Sequence, residues 1–583
     1  MNTTFALHGK QAIIRTNSIN WSQKDKLIES KFFKVMIEKY LKSLRANESE
    51  LLNIFPKINE NEQNHLVLKL IKALSKNEKN KVIESNPELK VFFEDIYSLD
   101  QFVEELYNYW RKFERYLIYT PKESEINPTA NKKPYRIFNS TIEELNHKVR
   151  SLYRDIRENI TGEHPIIFRQ MPAGCQVGVI ATNKKTKLPS KYNNLEKIPI
   201  IRQVLIEPPL IIDPPNNKRK GEFKVVQSNP IEGIEFNDKE WLCFPAKVGE
   251  LIIHFYFHNF YMGLGISTAN LFELCTEEEL EQKPDAIYAY GVSNESLESF
   301  APDKTVFFND KKNKLMVAAI PLGEEFGYFG YVKKMILTLH NSIMISKGRM
   351  PIHGAMTRIT LKNGKKANVI ILGDSGTGKS ESLEAFRHLS EGNLKDMKIV
   401  FDDMGSLELT PEKEVLAYGT ETGAFVRLDD LDSGYAFGNI DRSIIMSPSK
   451  VNARAVLPIT TLYEVLHGWN IDFLLYANNY LEIKETCITK FNSPEEALSV
   501  FREGKRMAKG TTIEIGMASA YFANIFGPSQ FKEKHELIAK QFFDALFEKG
   551  VYVGQINTQL GIKGMERNGP QLAAKELFRM IDK

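Results

Sequence analysis

Hydrophobic residues along this chain change their spacing twice, and the changes mark out its parts. Over about residues 21–119 they recur at helical intervals. Phe102, Val103, Leu106, Tyr107, Trp110, Phe113 and Leu117 share one stripe, with lysine and glutamate on the other faces. The spacing predicts an all-α N-terminal domain over 1–120, a small bundle with solvated charged faces. Residues 121–134, PKESEINPTANKKP, are polar and bounded by prolines, and read as a linker. A helix over 141–160 completes a connecting segment, 121–164. From about residue 165 the period shortens. Ile166-Ile167-Phe168, residues 177–181 and residues 198–206 read as strands, with proline pairs at Pro208-Pro209 and Pro214-Pro215. A mixed α/β domain over 165–330 follows from this pattern.

The last part, 331–583, contains a buried-strand pattern at Val369-Ile370-Ile371-Leu372. Next comes Gly373-Asp374-Ser375-Gly376-Thr377-Gly378-Lys379-Ser380, then a helical pattern with Leu383, Phe386 and Leu389 on one face. Strand, glycine loop and helix in this order are the context of a phosphate-binding loop. The spacing G-x-x-x-x-G-K-[ST] is met by Gly373, Gly378, Lys379 and Ser380. The glycines let backbone N–H groups turn inward around phosphate oxygens, and the helix N-terminus adds its positive dipole end. Lys379 is placed to reach the β- and γ-phosphates of a bound nucleotide, and the Ser380 hydroxyl to bind Mg²⁺. A glycine-rich turn without a ligand is the competing reading, and a strand and helix both in register weigh against it. Residues 397–403, MKIVFDD, form a second apolar strand ending in Asp402 and Asp403. Strand C-termini of a parallel sheet gather at the ligand edge, and hard cations take carboxylate oxygens. In isolation an Asx turn accounts for the pair equally well; behind a phosphate loop the metal reading is favoured.

Composition narrows the classes. At 583 residues, 42% of them apolar, the chain is long enough for about three or four domains. Lys+Arg 77 against Asp+Glu 74 is near balance, so bulk charge points to no nucleic-acid or membrane partner. Cys175, Cys243, Cys275 and Cys487 have no metal-ligand or redox spacing and suit a reducing compartment. The opening stretch MNTTFALHGKQAIIRT has no signal-peptide apolar core. The longest apolar stretch, 251–266, is interrupted by His254, His258 and Asn259 and is too short to span a bilayer. The expectation is a soluble cytoplasmic protein. His254 and His258 suggest a metal pair, but Phe255, Tyr256, Phe257, Phe260 and Tyr261 around them favour core or rim positions.

Several residues fall in an order that resembles the ATP-dependent phosphoenolpyruvate carboxykinases. They are Lys333-Lys334, His353, SGTGKS at 375–380, Asp402-Asp403, and Asn452-Ala453-Arg454-Ala455-Val456-Leu457-Pro458-Ile459. Glu421-Thr422-Gly423-Ala424-Phe425-Val426-Arg427 is similar to that family's Glu-Gly-Gly-Cys-Tyr-Ala-Lys. Residues 521–564, with VGQINT at 553–558, resemble its closing helix and Val-Asn-Thr strand. The likeness covers residues 285–583. It implies an α/β class, a carboxykinase-like P-loop fold with mixed sheets, here preceded by the all-α domain. The implied activity converts oxaloacetate and ATP to phosphoenolpyruvate, CO₂ and ADP, through an enolate that attacks the γ-phosphoryl group. By the resemblance, Lys334 (as a neutral amine), His353 and Asp403 hold Mn²⁺, while Ser380 and Asp402 serve the Mg²⁺ of ATP. Arg454 bridges the substrate carboxylate and the γ-phosphate, and Lys333 neutralises substrate or phosphate. Glu421 orients Lys379 or Arg454, and Tyr328 lines the substrate site.

GDSGTGKSE, with Glu381 after Ser380, and His353-Gly354 are also similar to HPr kinase/phosphorylase, whose kinase domain shares that nucleotide fold. That likeness implies phosphorylation of a protein serine or a small hydroxyl compound, with Asp402 as general base. A nucleotide-sensing interaction protein, holding a protein partner through its helical domain, is a third class. The chain lacks the carboxykinase loop Phe-Thr-Gly-Arg-Ser-Pro, whose arginine holds the dicarboxylate. Arg169, after Ile166-Ile167-Phe168, is the nearest candidate and Arg202 another.

Overall fold

The helical stripe read over 21–119 holds in its middle and gives way to strands at the end of that segment and ahead of it. The computed structural model describes residues 3–17, 27–56, 58–121, 133–164, 171–374, 376–389, 392–428, 440–483, 485–508 and 516–583. Helices α1 (Lys31–Ala46), α2 (Glu60–Leu74) and α3 (Ile96–Arg111) form where the stripe predicts helix. Each starts on a side-chain cap. Ser30 accepts from the amide of Phe33, Asn59 from that of Glu62 in a capping box, and Asp95 from that of Ser98. With helix α4 (Lys133–Thr161) they bury Tyr40, Leu41, Leu70, Ile71, Phe102 and Ile156 in one core. Arg157 of α4 clamps α3, donating to Asp100 at 2.6 and 2.7 Å and to Glu104 at 2.9 Å.

The all-α expectation for 1–120 is corrected by three strands, β1 (Thr3–His8), β2 (Gln11–Thr16) and β3 (Glu114–Tyr119). β1 and β2 form a hairpin whose left-handed turn position falls on Gly9, φ 53°. β3 lies parallel to β2 on one side and to β4 (Val177–Thr182) on the other. A strand buried on both faces is apolar without alternation, so ERYLIY keeps Leu117 at a helical interval from Trp110 and Phe113 by coincidence. β5 (Ile200–Ile206) follows β4 in the sheet order. Linker residues 122–132 and the strand expected at Ile166-Ile167-Phe168 lie outside the described residues. These elements make one compact unit, Met1–Thr182 with Ile201–Glu207; Asn183–Ile200 with Pro208–Lys583 make a second. The expected ranges 165–330 and 331–583 thus fall largely within one unit.

The second unit is also mixed α/β. Its first strands are β6 (Leu210–Ile212), β7 (Lys224–Val226), β8 (Trp241–Val248), β9 (Leu251–His258), β10 (Ala286–Val292), β11 (Val306–Asp310) and β12 (Leu315–Pro321). β8 to β12 with β7 pair in the order β8-β9-β10-β12-β11-β7, with both parallel and antiparallel neighbours. His254 on β9 is wholly buried, and burial pushes its imidazole down to about 4. Helix α5 (Phe329–Ser346) follows, buried almost all round. A second mixed sheet then takes β13 (Met350–Leu361), β14 (Lys366–Leu372), β15 (Leu394–Phe401), β16 (Met404–Leu409), β17 (Val415–Gly419), β21 (Phe473–Asn478) and β22 (Tyr552–Asn557). Between β17 and β21, β18 (Gly423–Arg427), β19 (Ile444–Met446) and β20 (Arg454–Pro458) form a small sheet with β6. Helices α6 (Lys379–Leu389), α7 (Lys532–Glu548) and α8 (Asn568–Asp582) complete the unit. The four cysteines are buried free thiols. Among the described residues no helix is long and apolar enough to cross a membrane.

Asn146 of α4 shows how the first unit closes. Its buried Oδ1 accepts from the amides of Ala173 (3.0 Å) and Gly174 (2.5 Å), and its Nδ2 donates to Glu207 at 2.6 Å. Asn146→Leu strands two buried N–H groups and is expected to destabilise this unit by about 2–4 kcal/mol. Urea unfolding followed by circular dichroism measures this; a loss below about 0.5 kcal/mol would contradict the assignment.

Candidate functional site

β13 brings the site together. It pairs antiparallel with β14 on one side, and on the other with β15 over its later part and β16 over its start. β14 and β15 therefore run in the same direction and both end beside the start of β13. The amide of Gly373, just past β14, donates to His353 O at 3.0 Å, and that of Gly354 donates to Asp403 O at 3.0 Å. The sheet is mixed, as expected, with parallel and antiparallel neighbours. The strand ends still gather at one edge, because β13 is shared between them.

Lys333 and Lys334 project from the second turn of α5. A helix buried all round cannot carry ammonium groups without partners. Lys333 Nζ lies 2.8 Å from Asp403 Oδ2 and 3.5 Å from Glu421 Oε1; Lys334 Nζ lies 2.6 Å from the same Asp403 oxygen. Although burial opposes it, Lys333 and Lys334 hold the Asp403 carboxyl well below its ordinary range. Burial also opposes the Lys333 charge, yet Asp403 and Glu421 keep its ammonium above its ordinary value. For Lys334 burial wins and lowers the ammonium. Burial pushes the Glu421 carboxyl up to about 8.

His353 lies between two acceptors. Its Nδ1 is 2.6 Å from Ala523 O and its Nε2 is 2.9 Å from Asp403 Oδ1. Burial, then the charge of Lys334, push the imidazole below its ordinary value, so it is neutral with one proton. With that proton assigned to Nδ1, toward Ala523 O, the Nε2 lone pair faces a carboxylate oxygen. A cation between Nε2 and the carboxylate turns this repulsion into attraction. With that tautomer, Lys334, His353 and Asp403 could together hold a divalent ion, the depressed lysine serving as third ligand. Counting only His, Cys, Asp and Glu, no group of three that could hold a metal occurs among the described residues. The Ala523 carbonyl is aimed by a left-handed pair, Phe522 (φ 52°) and Ala523 (φ 51°), a conformation that non-glycine residues rarely adopt.

The glycine loop joins β14 to α6 as expected. Gly376 (φ 77°) and Gly378 (φ 91°) take left-handed conformations, and a Cβ on Gly378 would meet the Thr558 side chain at 2.6 Å. Among the described residues the amides of Gly376, Gly378 and Lys379 have no backbone partner. Thr377 Oγ1 donates to Asp374 O at 2.8 Å, and Lys379 Nζ donates to the carbonyls of Gly373 (2.6 Å) and Asp374 (3.0 Å), so the loop curls around its own lysine. The Asp374 carboxylate turns to Arg506 at 2.9 Å. Ser375 and the Ser380 side chain lie outside the described residues. Asp402 follows β15 beside Asp403, and burial pushes its carboxyl up.

These groups open into a cavity of about 760 Å³ within the second unit, lined by Lys333, Lys334, Lys379, Asp402, Asp403 and Tyr328 among others. Ten cationic residues line it against five carboxylates, which suits a polyanion. Arg454, at the start of β20, lies over the Phe425 ring at 5.2 Å, and its buried Nε has no hydrogen-bond partner among the described residues. Tyr328 lies tilted to the same ring, with centroids 5.8 Å apart. Glu421 meets Lys333; no ion pair joins it to Lys379 or Arg454 among the described residues. Arg169 lies outside the described residues, and Arg202 is on β5 in the first unit.

Arg219 was not anticipated. It lines the cavity from the loop before β7, with its guanidinium 5.1 Å from the Phe223 ring and 5.0 Å from the Phe526 ring. Burial lowers its guanidinium from the ordinary value. The only sequence signal was Asn217-Lys218-Arg219-Lys220-Gly221, three cations before a glycine, which reads equally well as a solvated turn. Phe526, which also carries Lys334 Nζ at 4.7 Å from its ring, gave no signal of its own.

No family model matches this chain, and no curated protein matches it.

Asp403 is the test of the cluster. Asp403→Asn leaves two lysines without their shared charge and is expected to lower stability by about 3–5 kcal/mol at pH 7. Because the folded pKa is depressed, this contribution is complete above the ordinary carboxylate pKa of about 4 and is lost as pH falls through the folded value. Urea melts at pH 7 and pH 3 measure it; equal stability of wild type and variant at pH 7 would refute the pairing.

Proposed function

We propose that the second unit is a divergent, ATP-dependent phosphoenolpyruvate carboxykinase on a carboxykinase-like P-loop fold. The observation that carries this reading is Arg454, whose buried Nε lacks a partner in the same cavity as Lys333, Lys379 and the His353–Asp403 pair. A plain nucleotide site has little use for a further guanidinium with an unmet donor; one that also binds a small dicarboxylate does.

In this reading the loop amides and Lys379 hold the β- and γ-phosphates of ATP. Arg219 and Arg454 hold the carboxylates of oxaloacetate, with Tyr328 and Phe425 as the wall. Loss of CO₂ from oxaloacetate leaves the electron pair on the enolate. The enolate oxygen attacks the γ-phosphorus, the bond to the β-phosphate oxygen breaks, and ADP leaves with that pair. Lys333 stays charged beside Asp403 and offsets negative charge as it develops. Lys334, His353 and Asp403 would hold one divalent ion, and Ser380 with Asp402 the ion of ATP. When bound, these ions supply Lewis-acid stabilisation of the oxyanions.

Asp402 favours a second reading. A carboxyl raised by burial near the phosphate loop suits a general base for a hydroxyl acceptor, as in an HPr-kinase-like enzyme.

Protein supplied with Mn²⁺, ADP, bicarbonate and phosphoenolpyruvate is expected to form ATP and oxaloacetate. Arg454→Ala should lower kcat by about 10²–10³ while ADP affinity stays within about threefold. Coupled oxaloacetate reduction and ADP titration measure the two. No turnover by the wild type, with transfer from ATP to a hydroxyl compound, would replace the first reading by the second. Full activity of the variant would remove Arg454 from the site.

A further inference from the structure

The strands β14, β21 and β22 are parallel neighbours that end at the edge where the glycine loop leaves the sheet. Leu372 of β14 is level with Tyr476 of β21, and Asn478 of β21 with Asn557 of β22. The residues that follow this last pair, Asn479 and Thr558, are where the loop comes to rest. Both side chains are wholly buried, and both reach the carbonyl side of the loop. Asn479 Nδ2 donates to Gly376 O at 2.9 Å, and Thr558 Oγ1 donates to Thr377 O at 2.7 Å. Asn479 also donates to Met507 O at 2.9 Å and accepts from the Met507 amide at 2.8 Å, which ties the short strand Lys505–Met507 to the same point. From that strand Arg506 holds the Asp374 carboxylate at 2.9 Å. Neither Asn479 nor Thr558 lines the cavity that Gly376 and Lys379 line.

The shape of the peptide unit gives these bonds a consequence. In a trans peptide the C=O and the N–H of the next residue point opposite ways. Thr558, by holding the Thr377 carbonyl, turns the Gly378 N–H to the other side, where it has no backbone partner among the described residues. Asn479, by holding the Gly376 carbonyl, turns the Thr377 N–H onto Asp374 O at 3.3 Å, which closes the turn. Gly376 and Gly378 adopt left-handed conformations, and a backbone that glycine makes permissive does not hold its own peptides in one orientation. A flipped peptide would set a carbonyl oxygen where an anion needs a donor.

We propose that Asn479 and Thr558 are positioning residues for the phosphates of a bound nucleotide. They hold two successive carbonyls on the buried side of the loop, so that the Gly378 amide is kept for an anion before one arrives. Such preorganisation raises affinity by removing an ordering cost at the moment of binding. The inference rests on the ATP-binding part of the reading above and holds for either phosphoryl acceptor.

The test is calorimetric titration of the full chain with Mg²⁺-tripolyphosphate, which engages the loop without a base, and with Mg²⁺-ADP. The wild type is expected to bind both. Thr558→Val keeps the shape, loses the hydroxyl and should weaken both ligands by about tenfold. Thr558→Ser restores the hydroxyl and should bind within about threefold of the wild type. Asn479→Ala should also cost about tenfold; should that variant misfold by circular dichroism, the two Thr558 variants decide. A merely structural role predicts a lower melting temperature for Thr558→Val with both affinities unchanged, and that result would overturn the inference alone. Equal losses in the Val and Ser variants would overturn it too, by tracing the effect to packing. A wild type that binds neither ligand would overturn the ATP-binding reading and this inference together.

Discussion

The carboxylate of Asp403 is the point on which the second unit turns. It stands at the end of β15, pairs with two lysines from α5 and lies 2.9 Å from one histidine of β13. Neither lysine can remain in so apolar a helix without it, because an unpaired ammonium in a dry interior is costly. Nor does the carboxylate keep its charge without them, since burial alone would raise it. Charge, strand order and helix packing are therefore one problem with one solution. Lys333 remains an ammonium on this shared carboxylate, while burial leaves Lys334 closer to a neutral amine. That difference between adjacent residues on one helix turn is what a site needs when one group must carry charge and its neighbour must donate a lone pair.

Much of this arrangement was legible along the chain, and for physical reasons. Gly376 and Gly378 declare the loop because few other residues take those left-handed conformations, and Lys379 at its end has little other use. Asp402-Asp403 after an apolar strand declare a charged strand end. What the sequence could not carry is direction. A parallel sheet and this mixed one write the same residues into β14 and β15; only the pairing of β13 with both decides, and that contact is non-local. The strand Glu114–Tyr119 was hidden for a related reason. A fully buried strand loses its alternation, and its residues then satisfy a helical interval as well. Arg219 was hidden because a basic turn on a protein surface and a guanidinium held over two aromatic rings look alike until the rings are placed.

The two units solve different problems with similar materials. The second concentrates cations around a polar cavity, which favours phosphates and carboxylates. The first keeps a largely apolar chamber open between its helices. In the second, the informative side chain is one the fold leaves without a full set of partners. Arg454 Nε is more telling than a satisfied group, because a buried polar atom without a partner is expensive unless something else completes it.

The central claim, that Lys334, His353 and Asp403 together hold a divalent ion, is tested most directly by electron spin-echo spectroscopy of Mn²⁺ added to the nucleotide-free chain. The account predicts one bound Mn²⁺ with nitrogen coupling from an imidazole and an amine, the imidazole component disappearing in His353→Ala. Mn²⁺ that binds only together with ATP, and shows oxygen ligands alone, would contradict it.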